Sequence, residues 1–159
     1  MRRALFILLG KPTNRWQLVL NILSPLLQIG VLVWLACCFR EIPMHCNGAG
    51  IVTEMGGKGN LWVMPIIGVV DDLILWVVTL MPESAINTGV RVTAQNRSFV
   101  FGCAHDLIAE LRLGMSLLFA VLSGVFIYCP ERYPIWLPAV LCVLLCVPIV
   151  RYFVRIARM

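Results

Sequence analysis

The sequence predicts an all-α integral membrane protein: four transmembrane helices with an extracytoplasmic Gly-rich cap between helices one and two. Three observations predict it. Of 159 residues, 60% are hydrophobic and 13% charged, with a mean hydropathy of +0.91, whereas soluble domains run about 45–50% apolar and about 25% charged. The apolar residues gather into four runs near the length of about 20 residues that crosses a bilayer. Lys and Arg collect at the ends of those runs. A soluble enzyme, a disordered chain and a disulfide-stapled secreted module are excluded.

The elements follow in chain order, as one polytopic domain over 1–159. Met1-Arg2-Arg3 and the short apolar stretch to Gly10 imitate a signal peptide. Lys11 and Pro12 cut that stretch and no small-residue cleavage site follows, so an interfacial segment leading into an uncleaved first span is expected. The first span covers 18–39, interrupted only by Asn21, Ser24, Pro25 and Gln28. An outward loop covers 40–60. The second span, 61–81, carries Asp71 and Asp72 at its middle.

A cytoplasmic loop covers 82–106. Within it Asn87-Thr88-Gly89 is a turn signal and Thr93 is placed to cap a helix over 94–106. No proline occurs from Ala94 to Tyr128, so that helix is expected to continue into the third span, 107–128. Its first part would stand out of the bilayer and offer a docking surface to a cytoplasmic partner. The fourth span, 135–154, follows a loop of a few residues, so spans three and four form an antiparallel pair.

Orientation follows from the basic residues. Arg2, Arg3, Lys11, Arg15, Arg91, Arg97, Arg112, Arg151, Arg155 and Arg158 fall on one side, and Arg40, Lys58 and Arg132 on the other. The positive-inside rule places both termini in the cytoplasm of a bacterial inner membrane. Trp16, Trp62, Tyr128, Tyr133, Trp136 and Tyr152 lie near span ends, where amphipathic rings suit the headgroup zone. The net charge of +5 therefore reflects membrane orientation, and no basic stripe with interleaved aromatics points to nucleic acid. Seven cysteines, an odd number mostly in apolar runs, read as small packing residues. Cys142 and Cys146 share a helix face without a nearby His or carboxylate.

Two constellations invite a functional reading. In the outward loop Pro43 ends the first helix. An extended chain beyond it would put His45 and Asn47 on one side, with Gly50 and Gly56 supplying turns and Lys58 marking the bilayer boundary. For His45 the plain reading is a hydrogen-bonded loop residue; ligand recognition and metal binding are the alternatives. Asn47 reads first as a turn-stabilising side chain. Within the bilayer, a carboxylate at mid-helix costs about 2.5–3.5 kcal/mol on insertion scales. Asp71 and Asp72 project about 100° apart, so one narrow seam cannot serve both. Protonation, Arg112, or Asn21 and Gln28 could relieve them, as a structural pair or as a proton- or ion-binding site. No catalytic motif, metal cluster or cofactor motif is present.

The spacing Pro43, His45, Asn47, Gly50, Gly56, Lys58 and Pro65 resembles the membrane domain that forms the amino-terminal half of SdpI-type bacterial immunity proteins, here standing alone. Asn87-Thr88-Gly89-Val90, Val92-Thr93 and Asn96 resemble stand-alone members, and the likeness covers roughly residues 20–100. Cys46 stands where the family usually has an aromatic residue. The resemblance implies a non-enzymatic immunity or envelope-stress protein that recognises a toxic peptide or membrane ligand. The rival expectation is a small transporter or transporter accessory subunit using Asp71 and Asp72. Partners to expect are the bilayer, a peptide toxin or another membrane protein, a cytoplasmic regulator or ABC transporter, and a second copy as a homodimer.

Overall fold

The structure is a computed structural model describing residues 10, 12–38, 41–128 and 131–159, with Lys58 described by its backbone alone. The expected interfacial segment at 1–9, together with Lys11, Arg40 and Cys129, lies outside the described residues.

Four helices, α1 (Arg15–Ala36), α2 (Val63–Leu80), α3 (Arg97–Tyr128) and α4 (Leu137–Ala157), dominate the chain. All four are long and apolar enough to cross a membrane. α1 begins at Arg15 because the Asn14 side chain accepts a hydrogen bond from the Gln17 amide, capping a donor that the helix itself leaves unpaired. α3 is one unbroken helix of 32 residues, about 48 Å long at 1.5 Å per residue. Its start is a reciprocal cap: Thr93 Oγ1 accepts from the Asn96 amide, and Asn96 Oδ1 accepts from the Thr93 amide.

α3 is the central element, packed on α1, α2 and α4. α4 rests mainly on α3 and buries only Tyr152 and Ile156 fully. Where α3 and α4 cross, Gly114 lies under Leu145, and where α2 enters the seam between α1 and α3, Gly68 lies against Gln28 and Phe119. Absent side chains let the backbones approach, as helices in lipid require.

The core is layered along the bundle axis. At one end Val31, Leu35, Ile42, Leu61 and Ile127 form an apolar cluster, and at the other Val100, Cys103, Ala104, Tyr152 and Ile156 form a second. Between them the interior is polar: Asn21, Ser24, Gln28, Asp72, Arg112 and Ser116 are all buried. Outward faces are apolar instead, with Leu26, Ile29, Val33, Ile66, Leu73, Val143 and Val147 exposed. An apolar exterior around a polar middle layer suits a lipid solvent.

The loop between α1 and α2, expected as a Gly-rich cap, is extended after Pro43. It contains an antiparallel pair, β1 (Ile42–Cys46) and β2 (Val52–Gly56). A register irregularity after Pro43 fits a residue with no N–H to give to the ladder. A single 3-10 turn, Lys58–Trp62, then leads into α2.

Two expectations at the opposite end change. Tyr152 is not an interfacial anchor: it is buried, and its hydroxyl donates to the Thr88 carbonyl at 2.7 Å. The start of α3 does not stand bare either. Val100, Phe101, Cys103 and Ala104 are buried, with the last turns of α4 and with Ile86 and Val90 against this cluster.

Candidate functional site

The polar layer is assembled from three helices. On α1, Gln17, Asn21, Ser24 and Gln28 recur at spacings of three and four and are all buried, so they form one stripe facing inward. On α3, Arg112 and Ser116 are four apart and both buried. α2 contributes Asp72 through the face made by Pro65, Gly68 and Thr79.

Asp72 and Arg112 form a fork-to-fork pair, Nε to Oδ1 and Nη2 to Oδ2 at 3.0 Å each, with side chains only 8% and 3% exposed. The third face of the guanidinium donates from Nη1 to Asn21 Oδ1 at 3.0 Å. Ser24 Oγ donates to Asp72 Oδ1 at 2.5 Å. That fixes the remaining bonds. With its hydrogen on Asp72, Ser24 must accept from Ser116 Oγ at 2.8 Å, and Ser116 accepts from Gln28 Nε2 at 3.1 Å. The donors run in one direction toward the carboxylate. Among the described residues no buried side-chain N or O atom lacks a partner. A satisfied, bidentate pair of this kind can hold charge in a low-dielectric interior.

Asp71 takes no part. It lies outside the seam, half-buried, and among the described residues it forms no ion pair or hydrogen bond. The 100° offset between neighbours thus separates the two carboxylates: one is neutralised and the other is not.

A second polar cluster closes the end where α1 starts and α4 finishes. Asp106 accepts from Asn14 Nδ2 at 2.9 Å, Gln17 Nε2 at 2.8 Å and Arg155 Nη1 at 2.6 Å. One turn further along α3, Glu110 accepts from Arg151 Nη1 at 2.7 Å and Trp16 Nε1 at 3.3 Å. Asp106 with Glu110 and Arg151 with Arg155 are each four apart, so two parallel ion pairs clip α4 to α3. Sequence reasoning missed this cluster, although those matching spacings were its signal. Beside it, a cavity of about 600 Å³ lies between the 83–97 connection and α3, lined by Glu83, Asn87, Thr88, Thr93, Arg97 and Phe101.

At the opposite end Pro43, His45, Asn47, Gly50 and Gly56 lie in one β-hairpin, while Lys58 opens the 3-10 turn and Pro65 is buried in α2. Asn47 Oδ1 accepts from the amides of Ala49 and Ile51, both at 3.0 Å, which closes the turn between the strands. Gly50 takes φ +78°, a left-handed conformation that glycine adopts without penalty. Its carbonyl accepts from the Tyr133 amide at 2.7 Å, and the Val52 amide donates to the Glu131 carbonyl at 3.1 Å. The α3–α4 connection is thereby paired to the hairpin. His45 Nε2 lies 3.5 Å from Glu54 Oε2, with both side chains well exposed. A Cβ on Gly56 would meet the Met44 side chain and the Asn60 amide. The Lys58 side chain lies outside the described residues.

Beneath the hairpin is an apolar cavity of about 160 Å³, walled by Ile42, Pro43, Met44, Leu61, Met64 and Phe126, with Asn60 and Ser123 as its polar members. Ser123 Oγ is already bonded to the Phe119 carbonyl at 2.7 Å. Among the described residues no three His, Cys, Asp or Glu side chains come together as a metal site.

Comparison with known proteins gives no match: no protein family, no curated protein and no solved structure is significantly similar to the chain.

Proposed function

We propose that the chain is a non-enzymatic multi-pass protein of the bacterial cytoplasmic membrane that protects the cell as an immunity or envelope-stress protein. Its hairpin end recognises a toxic peptide or a membrane ligand. The observation that carries this reading is the build of that end. An Asn47-locked turn and a Gly50 carbonyl bonded to the last helical connection hold the hairpin in place. Under it, the first strand of the motif walls an apolar cavity. Pro43, His45, Asn47, Gly50 and Gly56 thus belong to one structural unit.

Outward orientation of the hairpin is supported by the described arginines. Arg15, Arg91, Arg97, Arg151, Arg155 and Arg158 belong to the end where α1 starts and α4 finishes, and Arg132 to the hairpin end. The positive-inside rule then keeps the termini in the cytoplasm. A reporter fused after Gly50 should be active only outside the cytoplasm.

The second reading, a small transporter or accessory subunit, has in its favour Asp71, which pairs with none of the described residues. One experiment separates the two. Cells expressing the wild type, His45→Ala or Asp71→Asn are challenged with a panel of membrane-active bacterial peptides and assayed for ion-dependent uptake. Recognition at the hairpin requires His45→Ala to lower the tolerated dose at least tenfold, with Asp71→Asn within twofold of wild type. Loss of uptake in Asp71→Asn with intact protection in His45→Ala would select transport.

A further inference from the structure

α2 has two apolar sides with different roles. Pro65, Gly68, Asp72 and Thr79 enter the seam between α1 and α3 and are buried. A second stripe, Met64, Ile67, Asp71, Ile74 and Val78, steps by three and four along the helix, and none of its members is buried. That spacing is the seam used by one helix to pack along another, and a single polar residue in such a seam selects the partner and its register.

Asp71 stands eight residues after Val63 and nine before Leu80, about 12–14 Å from each end of the helix. It is therefore near the middle of the span, where a carboxylate demands a counter-charge. Among the described residues none is supplied. Arg112, the one described cation in the middle of the bundle, is committed to Asp72 and Asn21. The other described arginines belong to the two ends.

We infer that the Met64–Val78 stripe is a docking seam for a transmembrane helix of another protein carrying a Lys or Arg at mid-membrane, paired with Asp71. Charge decides the occupant. A second copy packed two-fold along this stripe would set Asp71 against Asp71, two carboxylates with no cation between them. Acyl chains bring neither a charge nor a donor. A basic helix brings the missing charge to a seam of matching periodicity, and ionisable side chains within membrane helices pair with one another. Met64 also walls the cavity beneath the hairpin, whereas Asp71, on which this contact turns, lies outside that cavity.

The test uses the full chain, fluorescently labelled and reconstituted in phosphatidylcholine vesicles, with synthetic Leu/Ala transmembrane peptides carrying a central Lys or a central Leu. Energy transfer should report association with the Lys peptide at least tenfold tighter than with the Leu peptide. Asp71→Asn should remove that difference while leaving the helical circular dichroism and thermal midpoint unchanged. Asp71→Lys paired with a peptide carrying a central Asp should restore it. Equal binding of the two peptides, or an Asp71→Asn protein that still prefers the Lys peptide, would overturn the proposal. So would energy transfer between two labelled copies that disappears in Asp71→Asn, since the occupant would then be a second copy.

Discussion

Arg112 grips Asp72 by both carboxylate oxygens at 3.0 Å, joining α3 to α2 inside an otherwise lipid-facing bundle. Removing one member strands a buried charge, which costs about 3–5 kcal/mol, whereas exchanging both for apolar residues of similar volume is often neutral. Arg112→Met should therefore destabilise by about that amount. Asp72→Leu combined with Arg112→Met should recover most of the loss. Unfolding in mixed micelles of increasing dodecyl sulfate content measures these and Asp72→Leu alone, and simple additivity of the two single changes would refute the pairing.

Glycine positions grade the helix contacts. A Cβ on Gly68 would meet Gln28 Nε2 at 2.9 Å and Phe119 Cβ at 3.0 Å, while one on Gly114 meets only Leu145 Cδ2 at 2.7 Å. The Leu145 methyl group can swing away, but Phe119 Cβ is fixed to its backbone. Gly68→Ala should lose about 1–3 kcal/mol through overpacking, and Gly114→Ala distinctly less. Thermal midpoints in detergent rank the pair, and the opposite order would contradict the packing described.

The turn of the β-hairpin offers a second graded pair. Asn47→Ala gives up two hydrogen bonds to backbone amides, worth about 1 kcal/mol each in net terms. Gly50→Ala must hold a positive φ and drive its methyl into the Tyr133 carbonyl, so it should be the more damaging. Amide exchange at Ile51 and Tyr133 should quicken in both variants, and by more in Gly50→Ala.

Tyr152→Phe removes the 2.7 Å bond to the Thr88 carbonyl without altering the ring. The expected loss is about 1 kcal/mol, felt where the 82–96 connection lies against α4. Proteolysis within that connection should accelerate several-fold while cleavage at the hairpin end stays unchanged.

The helices were legible because lipid imposes a length and a composition that few other constraints imitate. Their edges were less so. α1 begins at Arg15, three residues before the expected 18, because Asn14 captures the Gln17 amide, a local bond that hydropathy does not register. Arg112, Asn21 and Gln28 stood out in the sequence as polar residues in apolar runs, and all three entered the network around Asp72. Ser24 was noted only as an interruption of the first span and Ser116 not at all, since a serine in a membrane helix can satisfy itself on its own backbone, as Ser123 does. Asn47 could be assigned to a turn from its type alone. The strand pairing could not, because glycine-rich segments specify register weakly. Tyr152 was misplaced because its ring belongs equally to a headgroup belt and to a core.

The bond from Tyr133 to the Gly50 carbonyl joins segments more than eighty positions apart. During synthesis the first loop is made long before the connection that completes its hydrogen bonding exists. Maturation of this surface must therefore await insertion of the last helical pair, so a ribosome-bound intermediate arrested before residue 131 would carry every motif residue yet lack the finished shape.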